Sequence, residues 1–129
     1  MSTVHTATTG TTVELLKALG DETRLRIVNL LEGEEELCAC QIEGALNVTQ
    51  SNASRHLSRL REVGLVSVRR SRQWAFFSLV KDENASIVSM IISHARRQIP
   101  QLNTDTERLA VEGKNAFFCT IPSFMEESV

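Results

Sequence analysis

The residues best suited to chemistry are a pair of cysteines, Cys38 and Cys40, one position apart in the segment ELCACQI. Thiolates are soft donors, and Cys-x-Cys spacing suits a soft ion. Two partly buried cysteines can also serve as small apolar fillers. On a regular helix, positions two apart lie about 200° apart around the axis. A single ion held by both sulfurs would then require the helix start to distort. The chain has one further cysteine, Cys119, in the segment NAFFCTI. It is a candidate third ligand, from the same or a partner protomer, or a tail residue packed with Phe117 and Phe118. A small-molecule thiol is the remaining source of a third sulfur. Three cysteines cannot close a disulfide framework, and a cytoplasmic chain keeps its thiols reduced.

A second set of residues points to nucleic acid. The net charge is −2, but residues 50–74 hold six arginines against Glu62, a local +5 that leaves −7 elsewhere. A basic face on an acidic chain can still bind phosphate. Its members are Arg55, Arg59, Arg61, Arg69, Arg70 and Arg72. The candidate DNA contacts are Thr49, Gln50, Ser51, Ser54, Arg55 and Arg59, followed by Arg69, Arg70, Arg72 and Gln73. Short Ser and Thr side chains let a helix sit deep in the major groove. Gln and Arg reach base edges, and hydroxyls and the helix start meet phosphate. His56 falls toward the core side of the same helix and reads as structural.

The elements that must carry these residues follow from hydrophobic spacing. Residues 1–11 are Thr-rich and read as a flexible arm. Val13, Leu15, Leu16 and Leu19 begin a helix that Gly20 stops. Asp21 caps a second helix, Glu22 to Glu32, which Gly33 ends. A third is expected over Leu37 to Leu46, with Glu34, Glu35 and Glu36 at its positive end. Asn47 and Val48 form a turn, and Thr49 caps a fourth helix, Gln50 to Val63, closed by Gly64. Leu65 to Val68 and Trp74 to Leu79 read as two strands around a polar tip, Arg70 to Gln73. Asp82 caps a last long helix, Glu83 to Gln98, with Ile87, Met90, Ile91 and His94 along one side. Pro100 ends it, and residues 103–114 form one more short helix. The tail NAFFCTIPSFMEESV is apolar enough to dock.

A short helix, a tight turn and a polar-faced helix describe a helix-turn-helix, and the Arg-rich hairpin after it supplies a wing. The expected fold is mainly α with a small β-hairpin, a homodimeric winged helix-turn-helix over 12–98 with a C-terminal extension over 99–129. With 129 residues the chain can bury one core without staples. No apolar run approaches a membrane span of about 20 residues, and the N-terminus MSTVHTATTG lacks a signal-peptide pattern, so a cytoplasmic protein without membrane contact is expected. No phosphate-binding glycine loop, nucleophile–base pair or paired carboxylates stand out, so an enzyme is not expected.

Three separated motifs, LGDETRLRIVNLL, ELCACQI and VTQSNASRHLSRLREVGLVSVRRSRQWAFFSL, resemble the ArsR/SmtB family of metal- and metalloid-responsive repressors in order and content. The resemblance covers residues 13–98. It implies a repressor that binds operator DNA as a homodimer through helices before and after the winged unit. It further implies release by As(III), with Sb(III) as a related inducer, bound to cysteine thiolates. The metal ligands it implies are Cys38, Cys40 and, in place of a missing one, Cys119. The family's arsenite sensors often carry a third cysteine three residues after the second, where this chain has Glu43. Ligand sets of the zinc, cadmium and lead sensors are incomplete here: the last helix offers Asp82, Glu83 and a lone His94, and the N-terminal arm only His5. A Cd(II), Pb(II) or Zn(II) sensor and a thiol redox regulator remain the alternatives.

Overall fold

Hydroxyl and carboxylate side chains open three of the helices, each accepting a backbone N–H that the first turn would leave unpaired. In the computed structural model, which describes residues 11–111, Thr11 takes the Glu14 N–H at 3.1 Å and starts α1 (Thr12–Leu19). Asp21 takes the Arg24 N–H at 3.0 Å and starts α2 (Glu22–Glu32). Thr49 takes the Asn52 N–H at 3.1 Å and starts α4 (Gln50–Glu62). Between α2 and α4 lie β1 (Leu37–Cys38) and α3 (Ala39–Leu46). Helix α3 ends on Asn47 at φ 58°, a left-handed conformation that asparagine tolerates well. The remaining elements are β2 (Val66–Ser71), β3 (Trp74–Leu79), α5 (Ala85–Gln98) and α6 (Pro100–Val111). His5 and Cys119 lie outside the described residues.

The three strands form one antiparallel sheet in the order β1-β3-β2. Leu37 pairs with Phe77 and Cys38 with Phe76, while β2 and β3 pair from Val66–Leu79 to Ser71–Trp74. The fully buried side chains include Ile27, Leu31, Ile42, Leu57, Leu60 and Ile92, so α2, α3, α4 and α5 share one core.

Several boundaries differ from the sequence reading, four of them for a clear physical reason. The helix expected from Leu37 begins at Ala39, because Leu37 and Cys38 pair with β3 and stay extended. The hairpin tip is only Arg72 and Gln73: Arg69 and Arg70 continue the β2 ladder opposite Phe76 and Ala75. Asp82 caps no helix directly; its carboxylate accepts the Asn84 N–H at 2.9 Å, and α5 starts at Ala85. Pro100 not only follows α5 but opens α6, the position where its missing N–H costs nothing.

Helix α6 is bound into the same core rather than appended to it. Leu102 and Leu109 are buried. Asp105, 1% exposed, takes both Arg26 Nε at 2.7 Å and Arg26 Nη2 at 2.9 Å. The same Nη2 donates to the Leu46 carbonyl at 2.8 Å, so one guanidinium joins α2, the end of α3 and α6. Helix α6, Pro100–Val111, thus packs against the same core as the helices before it.

Candidate DNA-reading face and thiol pair

Helix α4 divides its faces as an amphipathic helix must. Ala53, His56, Leu57 and Leu60 are buried, while Thr49, Gln50, Ser51, Ser54 and Arg55 are exposed. The buried His56 is held by a polar contact set rather than by apolar packing alone. Its Nδ1 lies 3.2 Å from Arg24 Nη1, and Arg24 Nε donates to the Ala18 carbonyl at 2.6 Å. A guanidinium only donates, so neutral His56 must accept at Nδ1 and carry its proton on Nε2. Burial lowers the His56 pKa; nearby Asp21 opposes this, and Arg55 and Arg24 reinforce it. The set ties α4 to the N-cap of α2 and the end of α1.

The expected basic contacts do not form one cluster. Arg59 is half-buried between Glu14 at 3.4 Å and Glu62 at 3.3 Å. Arg69 is exposed but pairs with Glu36 at 2.5 Å and lies 4.6 Å over the Phe76 ring. Its pKa is raised by that hydrogen bond. Successive strand residues face opposite ways, so Arg70 points to the other side of the hairpin. There it lines a groove of about 490 Å³ between α4 and the wing, together with Gln50, Ser54 and Gln73. Arg72 sits at the wing tip with φ 59°. Arg61 and Trp74 also line the groove. Sequence reading did not assign them to the site, because only the folding of the wing against α4 brings positions 61 and 74 to one wall.

Cys40 opens into this same groove, beside Glu43. Cys38 occupies the N-cap position of α3 with φ −80° and ψ 160°, and its N–H donates to Gln41 Oε1 at 3.0 Å. The two sulfurs lie 2.9 Å apart. The angular separation expected on a regular helix therefore does not apply: Cys38 is extended and only Cys40 is helical. No unwinding is needed to bring both sulfurs to one point. Burial raises the Cys38 pKa against the pull of the Gln41 and Cys40 backbone N–H groups, and Glu43 adds to the rise. Burial also raises the Glu43 pKa. Among the described residues, no group of three or more His, Cys, Asp or Glu is placed to hold a metal ion. The expectation that every cysteine is a reduced thiol does not hold for Cys40: it is disulfide-bonded in this structure, Cys38 is a buried thiol outside any disulfide, and the pair offers two thiolate donors only once Cys40 is reduced.

Residues 21–68, from the α2 cap through most of β2, match the family described as "Bacterial regulatory protein, arsR family". The arsenic resistance transcriptional regulator ArsR1 of Pseudomonas putida is 35% identical over 100 residues, covering 78% of each chain. The chain belongs to the ArsR family. Its ArsR-type winged helix-turn-helix superposes on HlyU from Vibrio cholerae with a TM-score of 0.58 at 35% identity, over 61% of this chain and 85% of that one. The arsenical resistance operon repressor of Escherichia coli is 46% identical over 67 residues, 52% of this chain and 57% of its own length. ArsR-family membership makes this chain a DNA-binding transcriptional regulator. Among the described residues, no helix is long and apolar enough to cross a membrane.

Proposed function

We propose that this ArsR-family regulator is a homodimeric repressor released from operator DNA by arsenite bound to Cys38 and Cys40. The observation that carries the reading is the 2.9 Å separation of the two sulfurs at the start of the helix that supports α4. It is supported by similarity to arsenic resistance regulators of two bacteria. With Cys40 reduced by a cellular thiol, trivalent arsenic exchanges its hydroxides for thiolates without further redox chemistry, and a pyramidal three-sulfur site takes Cys119 as the third. Antimonite has the same valence and would act alike. Cys40 borders the groove that holds Gln50, Ser54, Arg70 and Gln73, so an ion at the thiols acts directly beside the DNA-reading surface.

The dimer is proposed from exposed apolar side chains on the first and fifth helices. Val13 is 57% exposed, Leu16 51%, Ile87 42% and Met90 70%. Such a surface is covered most simply by its own copy across a two-fold axis. Two reading helices would then meet successive major grooves about 34–36 Å apart, on an imperfect inverted repeat.

A second reading, a sensor of Cd(II) or another divalent ion, is favoured by the carboxylate of Glu43 beside Cys40. A cadmium resistance regulator homologue of Staphylococcus aureus is 30% identical over 83 residues, 64% of this chain. One titration separates the readings. Protein on DNA selected from a random pool is challenged with arsenite, antimonite, cadmium, lead, zinc and peroxide. Arsenite should release it, and Cys38→Ser or Cys40→Ser should hold DNA in its presence. Release by cadmium alone would select the second reading. Release by peroxide alone would replace both with thiol oxidation.

A further inference from the structure

Two arginines line the groove between α4 and the wing from different walls, Arg61 from the last turn of the helix and Arg70 from β2. Both are exposed. The ion pairs among the described residues engage Arg26, Arg59, Arg69 and Arg96, and neither Arg61 nor Arg70 takes part in one. We infer that this groove holds the phosphodiester strand that borders the major groove on the side of the wing, and that Arg61 is a phosphate contact across from Arg70. The inference rests on the reading of α4 as the helix that enters the major groove.

Helix geometry separates two exposed faces of α4. At about 100° per residue, Ser54 and Arg61 lie about 90° around the axis from Ser51 and Arg55. The first pair lines the groove together with Gln50 and Ser58, and the second pair does not. An α-helix with its side chains is about 10–12 Å across, and the major groove is about 12 Å wide. A helix seated with Ser51 and Arg55 toward the base edges therefore sets its flanks against the backbone walls. On the flank of Ser54 and Arg61, the wall has to pass between α4 and β2, where the groove of about 490 Å³ lies. From Gln50 to Arg61 that flank is about 16 Å long, enough for more than one phosphate.

The lining fits a phosphodiester. Guanidinium groups offer it charge-assisted donors in a fork that matches two phosphate oxygens. The hydroxyls of Ser54 and Ser58 and the side-chain amides of Gln50 and Gln73 add neutral donors for phosphate or sugar oxygens. Arg59 and Arg69 have equal charge but already hold carboxylates, Glu14 and Glu62 for the first and Glu36 for the second. Among the lining residues the one carboxylate is Glu43, on α3. Its charge repels phosphate from that end and leaves the strand to Arg61 and Arg70.

The experiment uses the full chain and the duplex selected from a random pool, with affinity measured against salt. Arg61→Ala should reduce the slope of log affinity against log salt by about 0.9 for each phosphate contact removed, as Arg70→Ala does, and Arg61→Lys should restore most of it. The double variant should lose both decrements, since the two side chains hold separate phosphates. A neutral methylphosphonate is then placed at each backbone position in turn. Positions that weaken wild-type binding but leave Arg61→Ala unaffected locate the contact. Trp74, the single tryptophan of the chain, lines the same groove, so its emission should change when the duplex binds. An Arg61→Ala slope equal to that of wild type, one methylphosphonate profile shared by both proteins, or unchanged Trp74 emission would overturn the contact. Saturable binding of inorganic phosphate at constant ionic strength, lost in Arg61→Ala with no change in the DNA slope, would make the groove a site for a free anion and overturn the strand assignment. The reading of α4 is tested separately. Arg55→Ala should alter sequence preference, and an unaltered preference would remove that reading and this inference with it.

Discussion

Cys38 and His56 illustrate how single residues here depend on their backbone setting. Cys38 pairs with Phe76 in the sheet and so stands before the helix instead of within it, which turns its sulfur toward that of Cys40. His56 is 5% exposed and accepts from Arg24 while neutral. Protonation would place an N–H against a guanidinium with Arg55 also nearby. Folding lowers the His56 pKa from the ordinary value of 6.5, so the unfolded chain takes the proton first. Stability contributed by this group is complete above pH 6.5 and declines as pH falls from there toward the folded value. Urea unfolding between pH 8 and pH 5.5 should show this decline, and His56→Gln should flatten it, since the amide oxygen can accept from Arg24 without titrating. An equally steep profile in the variant would assign the acid sensitivity to other groups. The position of His56 on the inner face was legible from spacing with Leu57 and Leu60. Its partners were not, because Arg24 lies 32 residues away.

At the scale of elements, the wing and the two helices joined by Arg26 carry distinct predictions. Arg69 and Arg70 are neighbours in sequence and equal in charge, yet the alternation of β2 separates their roles. Arg70→Ala should weaken binding to every duplex and reduce the slope of log affinity against log salt by about 1. Arg69→Ala should change that slope much less, because Glu36 and the Phe76 ring already hold Arg69. Equal slopes for the two variants would contradict the strand register. Helix α6 depends on the buried Arg26–Asp105 pair. Asp105→Asn leaves the guanidinium with a weaker partner and no counter-charge, and should cost about 3 kcal/mol in chemical denaturation. A loss well below about 1 kcal/mol would mean that the pair does not carry the docking of α6. The helix itself was expected from sequence as a short segment over 103–114. Its start at Pro100 and its place in the core were hidden, because the pairing partner of Asp105 lies 79 residues away.

For the whole molecule, the test is whether the exposed apolar strip on α1 and α5 is an interface. Met90, at 70% exposure, is the cleanest probe, because its removal leaves the core untouched. Ile91 belongs to the same stripe by sequence but packs partly against the core, so a charge there would disturb the protomer as well. Met90→Glu should halve the mass seen in sedimentation, keep the helix content and lose most operator affinity, as two half-sites would no longer be bound together. A variant that still sediments as a dimer would move the interface elsewhere.

What the sequence determined by itself is local. Helical and strand periods, cap residues, the Gly20 and Gly33 stops and the polar face of α4 depend on side chains within a few positions of one another, and three motifs in order were enough to indicate the ArsR family. Tertiary structure decided everything that depends on distant pairs. β1 exists only because β3 offers it a ladder, and that ladder holds Cys38 extended beside Cys40. The packing of the wing on α4 forms the groove where Cys40, Arg61, Arg70 and Trp74 meet, and Arg26 binds α6 across 79 residues. Contacts of this kind depend on how faces pack, and a one-dimensional pattern records which face is apolar but not which partner covers it.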